Sequence, residues 1–120
     1  MQKVAPLIVS TAIINPISNN PCITAIYKTW PKNLWNDAIL TAQKESSLNP
    51  NAVGTPNNNG TIDYGCMQLN SYWQANFFKS YQWSNAYQNT AYAYQLYCSR
   101  VKEGLNGWSA WNSVYGILWR

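Results

Sequence analysis

The stretch KESSLNP at residues 44–50, followed after a short interval by GTIDYG at residues 60–65, decides the predicted fold. The Asn-Pro pair that closes the first stretch ends a helix, because the residue before a proline is disfavoured in helical conformation. The Asn-Gly pair that leads into the second stretch signals a tight turn between two strands, predicted at residues 52–55 and 61–65. The two stretches therefore predict a helix that leads into a β-hairpin.

Helical periodicity accounts for most of the remaining chain. Apolar and aromatic residues recur at steps of three and four in four segments, predicted as helices at residues 22–30, 33–47, 84–101 and 108–119. Asn33 and Ser84 are the predicted N-caps of the second and third helices. The predicted fold class is α+β and mainly α, with a helical body and a small inserted β-hairpin that forms one wall of a cleft.

The composition limits the classes of function. The chain of 120 residues has eight Lys and Arg, four Asp and Glu and no His, for a net charge of +4. The basic residues are scattered, whereas a nucleic-acid site would concentrate them on one face, so no nucleic-acid partner is predicted. No metal and no cofactor are expected, because the sequence has no histidine, no Cys-x-x-Cys pair and no phosphate-binding glycine motif.

Three cysteines, Cys22, Cys66 and Cys98, allow at most one internal disulfide. We predict that Cys22 pairs with Cys98, because both lie on predicted helices. Cys66 is then expected to be a small buried thiol, since no histidine is present to activate it.

Residues 1–21 form a separate segment in this interpretation. Lys3 precedes an apolar run at residues 4–14, which has the length of a signal-peptide core but is too short to span a bilayer. The segment is either a cleaved export signal or a retained arm that docks the protein into a virion or a secretion assembly through residues 1–20. Both interpretations stay open; residues 22–120 are the predicted catalytic domain, with no membrane span.

Two of the four carboxylates stand where acid–base chemistry needs them. Glu45 lies on the apolar stripe and in the last turn of its predicted helix, where burial and the helix dipole both favour the protonated form. Asp63 lies on a predicted strand near Asn57, Asn59 and Thr61, which can hydrogen-bond an anion and keep it charged. One carboxyl that holds its proton and one ionised carboxylate, among aromatic residues, are what glycoside cleavage needs.

A purely structural interpretation of these residues also stays open. A Glu at a helix end is usually solvated, and an Asp near a turn usually bonds the backbone. Asp37 and Glu103 are assigned to such roles, at a helix N-terminus and at a solvated helix end. Trp108, on an aromatic stripe, is expected mainly to pack in the core, whereas Trp73 has polar neighbours and suits contact with a sugar ring equally well.

Three motifs, in order along the chain, resemble those of the lysozyme superfamily: ESSLNPNAV at residues 45–53, DYGCMQLNSYW at residues 63–73 and GLNGWSAW at residues 104–111. The first resembles soluble lytic transglycosylases, and the second is closer to C-type lysozymes. The resemblance covers roughly residues 33–115 and implies a lysozyme-like fold. The chain departs from C-type lysozymes in lacking their four-disulfide set and in having Cys66 where they have an aliphatic residue.

The resemblance also implies roles for individual residues. Glu45 corresponds to the general acid and Asp63 to the second carboxylate, in the split-pKa arrangement for which lysozyme itself is the standard example. Gln68 and Asn70 correspond to polar residues that contact the substrate, and Trp73 corresponds to a tryptophan that stacks on sugar. Trp108 corresponds to the tryptophan beside the acid. Asn57 and Thr61 correspond to the residues that hold the second carboxylate.

These inferences predict a muramidase that hydrolyses the β-1,4 bond between N-acetylmuramic acid and N-acetylglucosamine in peptidoglycan. Its predicted partners are glycan strands, and its predicted location is extracellular, periplasmic or virion-associated. Two alternatives stay open: a lytic transglycosylase that forms 1,6-anhydro products with Glu45 alone, and a non-catalytic glycan-binding or structural module of a phage particle. The presence of Asp63 favours hydrolysis.

Overall fold

The computed structural model describes residues 18–120. Most of the predicted export signal or docking arm at residues 1–21 falls on residues 1–17 and therefore lies outside the described residues. Just inside the described range, Asn20 caps the first helix by accepting a hydrogen bond from the Ile23 amide at 3.1 Å. The Asn20 amide donates in turn to the Leu48 carbonyl at 3.0 Å, which ties the start of this helix to the loop after the second one.

Four α-helices and three 3₁₀ turns are present in residues 18–120. The helices are α1 (Pro21–Thr29), α2 (Trp35–Ser46), α3 (Ala75–Ser80) and α4 (Ala86–Lys102). The 3₁₀ turns are Lys32–Leu34, Gly107–Ala110 and Asn112–Val114. The first three predicted helices correspond to α1, α2 and α4. Their predicted caps are wrong, because α2 continues from a 3₁₀ turn without a side-chain cap and α4 is capped by Asn85.

The predicted C-terminal helix is also wrong, since residues 107–114 form two 3₁₀ turns. Trp108, Trp111 and Val114 are spaced by three residues and are 4%, 3% and 0% exposed. A spacing of three matches the 3₁₀ helix, in which residues i and i+3 lie above one another, better than the 3.6-residue period of an α-helix. Tyr115, which lies within the predicted helix 108–119, is exposed.

A two-stranded antiparallel sheet forms the β part of the fold. Strand β1 (Asp63–Tyr64) pairs with strand β2 (Leu69–Asn70), which follows it after four residues. Gly65 and Gln68 reverse the chain between the strands with positive φ angles of 83° and 53°. A side chain at Gly65 would collide with Asn89 of α4, so glycine is required there for space as well as for conformation. The predicted mainly α fold with a small sheet is confirmed.

The predicted hairpin pairing is only partly formed. The segment at residues 52–55 contributes a single bridge, between Val53 and Tyr64, rather than a strand. Its backbone still bonds to β1, because the Gly54 amide donates to the Asp63 carbonyl at 2.8 Å. The more regular partner of β1 is therefore β2, which the sequence does not predict as a strand.

A disulfide joins Cys22 of α1 to Cys66 in the turn between the strands, so the predicted Cys22–Cys98 pair is wrong. Cys98 is an exposed free thiol on α4. The two bonded residues are 44 positions apart in sequence. Closing a loop of that length stabilises the fold by about 4 kcal/mol in the chain-entropy description.

The turn at residues 65–68 is also held by the helical body. The Ser46 hydroxyl, at the end of α2, donates to the Cys66 carbonyl at 2.8 Å. Buried Asn89 accepts from the Met67 amide at 2.9 Å, and the Trp111 indole donates to the Met67 carbonyl at 2.8 Å. These bonds fix the sheet against α2 and α4, so that β1 faces the C-terminal end of α2 across a cleft.

Candidate active site

Glu45 lies one residue before the end of α2, in the last turn as the sequence predicts. The helix ends there because Ser47 and Leu48 both adopt left-handed conformations, with φ of 55° and 60°. The Glu45 carboxylate is half-buried and accepts a hydrogen bond from the Ser113 hydroxyl at 2.5 Å. We call α2 together with the 3₁₀ segment at residues 107–114 the helical wall of the cleft.

The pKa of the Glu45 carboxyl is raised above its ordinary value, and loss of solvation on burial is the main cause. The hydrogen bond from Ser113 stabilises the anion and lowers the pKa in opposition, while the negative charge of Asp63 raises it further. Burial wins. Glu45 therefore retains its proton to a higher pH than an ordinary glutamate, as a general acid must.

Asp63 faces the cleft from β1 and is held by side-chain amides. It lies opposite Asn70 in the sheet, and the Asn70 amide donates to Asp63 Oδ1 at 2.9 Å. A longer contact of 3.4 Å joins the Asn57 amide to Asp63 Oδ2. Each donor stabilises a negative charge on the carboxylate. We call β1, β2 and the loop at residues 57–61 the β wall.

Asn70 connects the carboxylate to the aromatic rim of the cleft. While its amide nitrogen donates to Asp63, its side-chain oxygen accepts from the backbone amides of Tyr72 and Trp73 at 2.9 and 3.0 Å. This local bonding fixes the chain where it leaves β2, and the Trp73 side chain lines the cleft with 68% of its surface exposed. A large exposed indole held at the rim of a polar cleft is suited to stacking on a sugar ring.

The two walls enclose a cleft of about 570 Å³ that both carboxylates line. Its lining is mostly polar. From the helical body it comprises Glu45, Leu96, Arg100, Ser109, Ala110, Trp111, Asn112 and Ser113, and from the β side Asn57, Asn59, Thr61, Asp63, Gln68, Leu69, Asn70, Trp73 and Gln74. A protonated carboxyl and an amide-bound carboxylate in one open groove can deliver a proton and stabilise a positive charge on the same polymeric ligand.

Comparison with known proteins agrees with this architecture. The chain is 29% identical over 90 residues to Lysozyme 1 of Musca domestica, covering 69% of this chain and 64% of that relative. It is 44% identical over 43 residues to Lysozyme 2 of Lucilia sericata, covering 36% of this chain and 30% of that relative. The crystal structure of a lysozyme from Litopenaeus vannamei matches with a TM-score of 0.61 and 20% identity, over 78% of this chain and 82% of the other. No family model matches.

The structural match shows that the chain has a lysozyme-like fold. Over part of its length the chain is also similar in sequence to the two curated lysozymes. The chain spans 64% of the length of Lysozyme 1. Because these matches cover only part of the relatives' length, the roles of individual residues rest on the geometry of the cleft of this chain.

Trp108 packs in the core, as mainly expected from the sequence. It is buried, stacks on Trp30 with ring centroids 5.3 Å apart, and lies outside the set of described residues that line the cleft. Trp111 lines the cleft instead, on the segment that carries Ser113. In this lysozyme-like fold Trp108 is a core residue, and Trp111 is the tryptophan of the helical wall that lines the cleft.

Gln68 and Thr61 line the cleft, but their polar atoms are largely used within the protein. The Gln68 amide donates to the Gly65 carbonyl at 3.1 Å and to the Ala52 carbonyl at 3.3 Å, which stabilises the turn between the strands. The Thr61 hydroxyl accepts from Asn70 at 2.9 Å and from Asn57 at 3.1 Å. Thr61 thus orients the two amides that bind Asp63 and does not bond the carboxylate itself.

Among the cleft residues that sequence reasoning did not single out, three bear directly on the chemistry: Ser113, Trp111 and Arg100. Trp111 lies in the motif at residues 104–111, but motif spacing does not show which of its two tryptophans faces the cleft. Ser113 and Arg100 belong to no motif, and only the fold brings them into the cleft that Glu45 and Asp63 line. No group of three or more His, Cys, Asp or Glu able to hold a metal occurs among residues 18–120. No helix in that range is long and apolar enough to cross a membrane.

Proposed function

We propose that residues 22–120 form a muramidase domain that hydrolyses the β-1,4 bond between N-acetylmuramic acid and N-acetylglucosamine in peptidoglycan. The observation that carries the proposal is the pair of carboxyl groups in one cleft with opposite environments. Glu45 has a raised pKa through burial, and Asp63 is bound by two amide donors. The names of the curated relatives and of the structural match support the same activity.

In the proposed reaction, protonated Glu45 donates its proton to the glycosidic oxygen as the bond to the leaving sugar breaks. Positive charge then develops at the anomeric carbon of the retained sugar. Asp63 stabilises that charge or traps the carbon covalently, and the Asn70 amide keeps its carboxylate in place. Ionised Glu45 finally accepts a proton from the attacking water, which restores the starting state and retains the anomeric configuration.

The surroundings of the pair support a polymeric sugar substrate. The cleft is open and its walls present many amide groups, which suit the hydroxyl and acetamido groups of a glycan. Trp73 offers an exposed aromatic face at the rim. The buried Cys22–Cys66 disulfide supports a site of action outside a reducing cytosol, in keeping with a cell-wall substrate.

The test is mass spectrometry of purified peptidoglycan after digestion, with the Glu45→Gln variant as the control for contaminating activity. New reducing ends at muramic acid would support hydrolysis. Ends that are lighter by one water would identify 1,6-anhydro products and replace the proposal with lytic transglycosylase activity. Intact strands, with the protein shown to be folded by circular dichroism, would refute both activities and leave the glycan-binding alternative.

A further inference from the structure

Arg100 introduces a positive charge into the cleft. Its side chain lines the cleft from α4. Among the described lining residues Arg100 is the single cation, and Glu45 and Asp63 are the two acidic residues. Asp63, together with Glu45 whenever Glu45 is ionised, repels an anionic ligand, and one guanidinium offsets part of that repulsion. The charge of Arg100 therefore affects which glycans can enter.

The guanidinium of Arg100 has no acidic partner among residues 18–120, although the residue is half-buried. A planar group with five donors, held in a cleft without an acidic partner, is suited to binding a carboxylate from a ligand in bidentate fashion.

Arg100 and Glu45 line the cleft from different helices. Arg100 lies on α4, against which the 3₁₀ turn Gly107–Ala110 packs. Glu45 lies on α2, against which the turn Asn112–Val114 packs and where Ser113 bonds the Glu45 carboxylate. A ligand group bound by Arg100 therefore contacts a different helix from the one that carries the proposed acid.

We propose that Arg100 binds the free lactyl carboxylate of an N-acetylmuramic acid unit and so selects stem-free muramyl glycan over neutral chitin. The inference rests on the proposed function, because it names the preferred substrate of the same cleft. N-acetylmuramic acid carries this carboxylate on its lactyl ether, whereas the sugars of chitin have none. In strands with stem peptides the carboxyl is an amide, so an amidase-type reaction that removes the stem would supply the preferred substrate.

The test measures equilibrium binding in the non-cleaving Glu45→Gln background. The ligands are a tetrasaccharide of alternating N-acetylglucosamine and N-acetylmuramic acid, the same tetrasaccharide with its lactyl carboxyls converted to amides, and chitotetraose. We expect Arg100→Gln to weaken binding of the acidic tetrasaccharide roughly 10- to 100-fold, as loss of a charge-assisted bidentate contact implies. Binding of the amide and of chitotetraose should change less than about twofold, within the range of surface substitutions.

Lys102→Gln is the matched control, because it removes one positive charge from the same helix at an exposed position outside the cleft lining. It should leave all three affinities nearly unchanged. Equal weakening by Lys102→Gln would assign the effect to net charge, and equal weakening of all three ligands by Arg100→Gln would assign it to fold or shape. Either result, or no effect of Arg100→Gln, would overturn the proposal.

The binding assay separates this inference from the proposed function. If the wild-type protein cuts no glycan but Arg100→Gln selectively loses the acidic tetrasaccharide, hydrolysis fails and the carboxylate site stands. If peptidoglycan is cut and Arg100→Gln binds and cuts acidic, amidated and neutral substrates as the wild type does, hydrolysis stands and the carboxylate site is refuted.

Discussion

The helical wall and the β wall hold their carboxyl groups by different physical means. Glu45 on the helical wall is governed by burial, with one hydroxyl donor from Ser113 that only partly offsets the loss of solvation. Asp63 on the β wall is bound by the amides of Asn70 and Asn57, which Thr61 orients. Two similar groups in one cleft thus have different surroundings: burial favours the neutral form of Glu45, whereas Asp63 accepts hydrogen bonds from two side-chain amides.

The largest effect is expected from removing the acid on the helical wall. Glu45→Gln keeps the shape of the side chain but cannot donate a proton, so the rate of glycan cleavage should fall by roughly 10²- to 10⁴-fold. Cleavage of fluorescently labelled peptidoglycan measures it, and a binding titration with chitotetraose checks that the cleft is intact. Activity near that of the wild type would refute the assignment of Glu45.

A smaller but still large loss is expected on the β wall. Asp63→Asn preserves size while removing the negative charge that stabilises the positive anomeric carbon, so kcat should fall by roughly 10²- to 10³-fold. Peptidoglycan turnover under saturating conditions measures this loss. A variant that retains its activity and yields anhydro products would show that Glu45 works alone, which is the transglycosylase alternative.

The side-chain amides of Asn70 and Asn57 on the β wall should differ in how much they contribute to kcat/KM. Asn70→Ala removes the 2.9 Å bond to Asp63 and also the acceptor for the Tyr72 and Trp73 amides, so kcat/KM should fall roughly tenfold or more. Asn57→Ala removes the 3.4 Å contact to the carboxylate and two bonds, to the carbonyl and the hydroxyl of Thr61, and should cost less. Parallel kcat/KM measurements on both variants decide the order, and a greater loss for Asn57→Ala would contradict it.

The smallest expected effect is a shift in the pH dependence of kcat/KM. Glu45 must be protonated to donate, so kcat/KM falls as pH rises through its pKa. The Ser113 hydrogen bond lowers the pKa of Glu45, so Ser113→Ala should raise that pKa and move the alkaline limb to higher pH. A pH profile of kcat/KM measures the displacement.

Ser109→Ala is the control for this profile. Ser109 also lines the cleft on the 3₁₀ segment, but its hydroxyl has no hydrogen-bond partner among the described residues. Removing the Ser109 hydroxyl should leave the alkaline limb of the kcat/KM profile at the same pH. A shift to lower pH in Ser113→Ala, or the same shift in both variants, would show that the Ser113 bond does not tune Glu45.

The sequence predicted the parts of the molecule that depend on local chemistry. The helix that carries Glu45 was located because Asn49-Pro50 must interrupt it, and the turn before Asp63 was located because Asn59-Gly60 suits a reversal. The half-burial of Glu45 followed from the apolar stripe of its helix. These are short-range properties, readable without knowing what packs against them.

The remainder depended on packing between distant segments. Apolar spacing over residues 108–119 suited an α-helix, but the buried series Trp108, Trp111 and Val114 follows the three-residue period of a 3₁₀ helix. Helical location alone favoured Cys98 as the partner of Cys22, but the turn after β1 brings Cys66 to α1 instead. Ser113 reaches Glu45 across 68 residues of sequence, a contact that no local pattern encodes.

The exposure of Trp73 has a spectroscopic consequence. Of the seven tryptophans, all within the described residues, Trp73 alone is exposed, while the others are buried or half-buried. An aqueous quencher such as iodide will therefore extinguish chiefly the emission of Trp73, the red-shifted part of the indole fluorescence. A glycan seated on the rim will shield that fraction and shift it towards the blue, so the protein carries its own optical reporter of cleft occupancy.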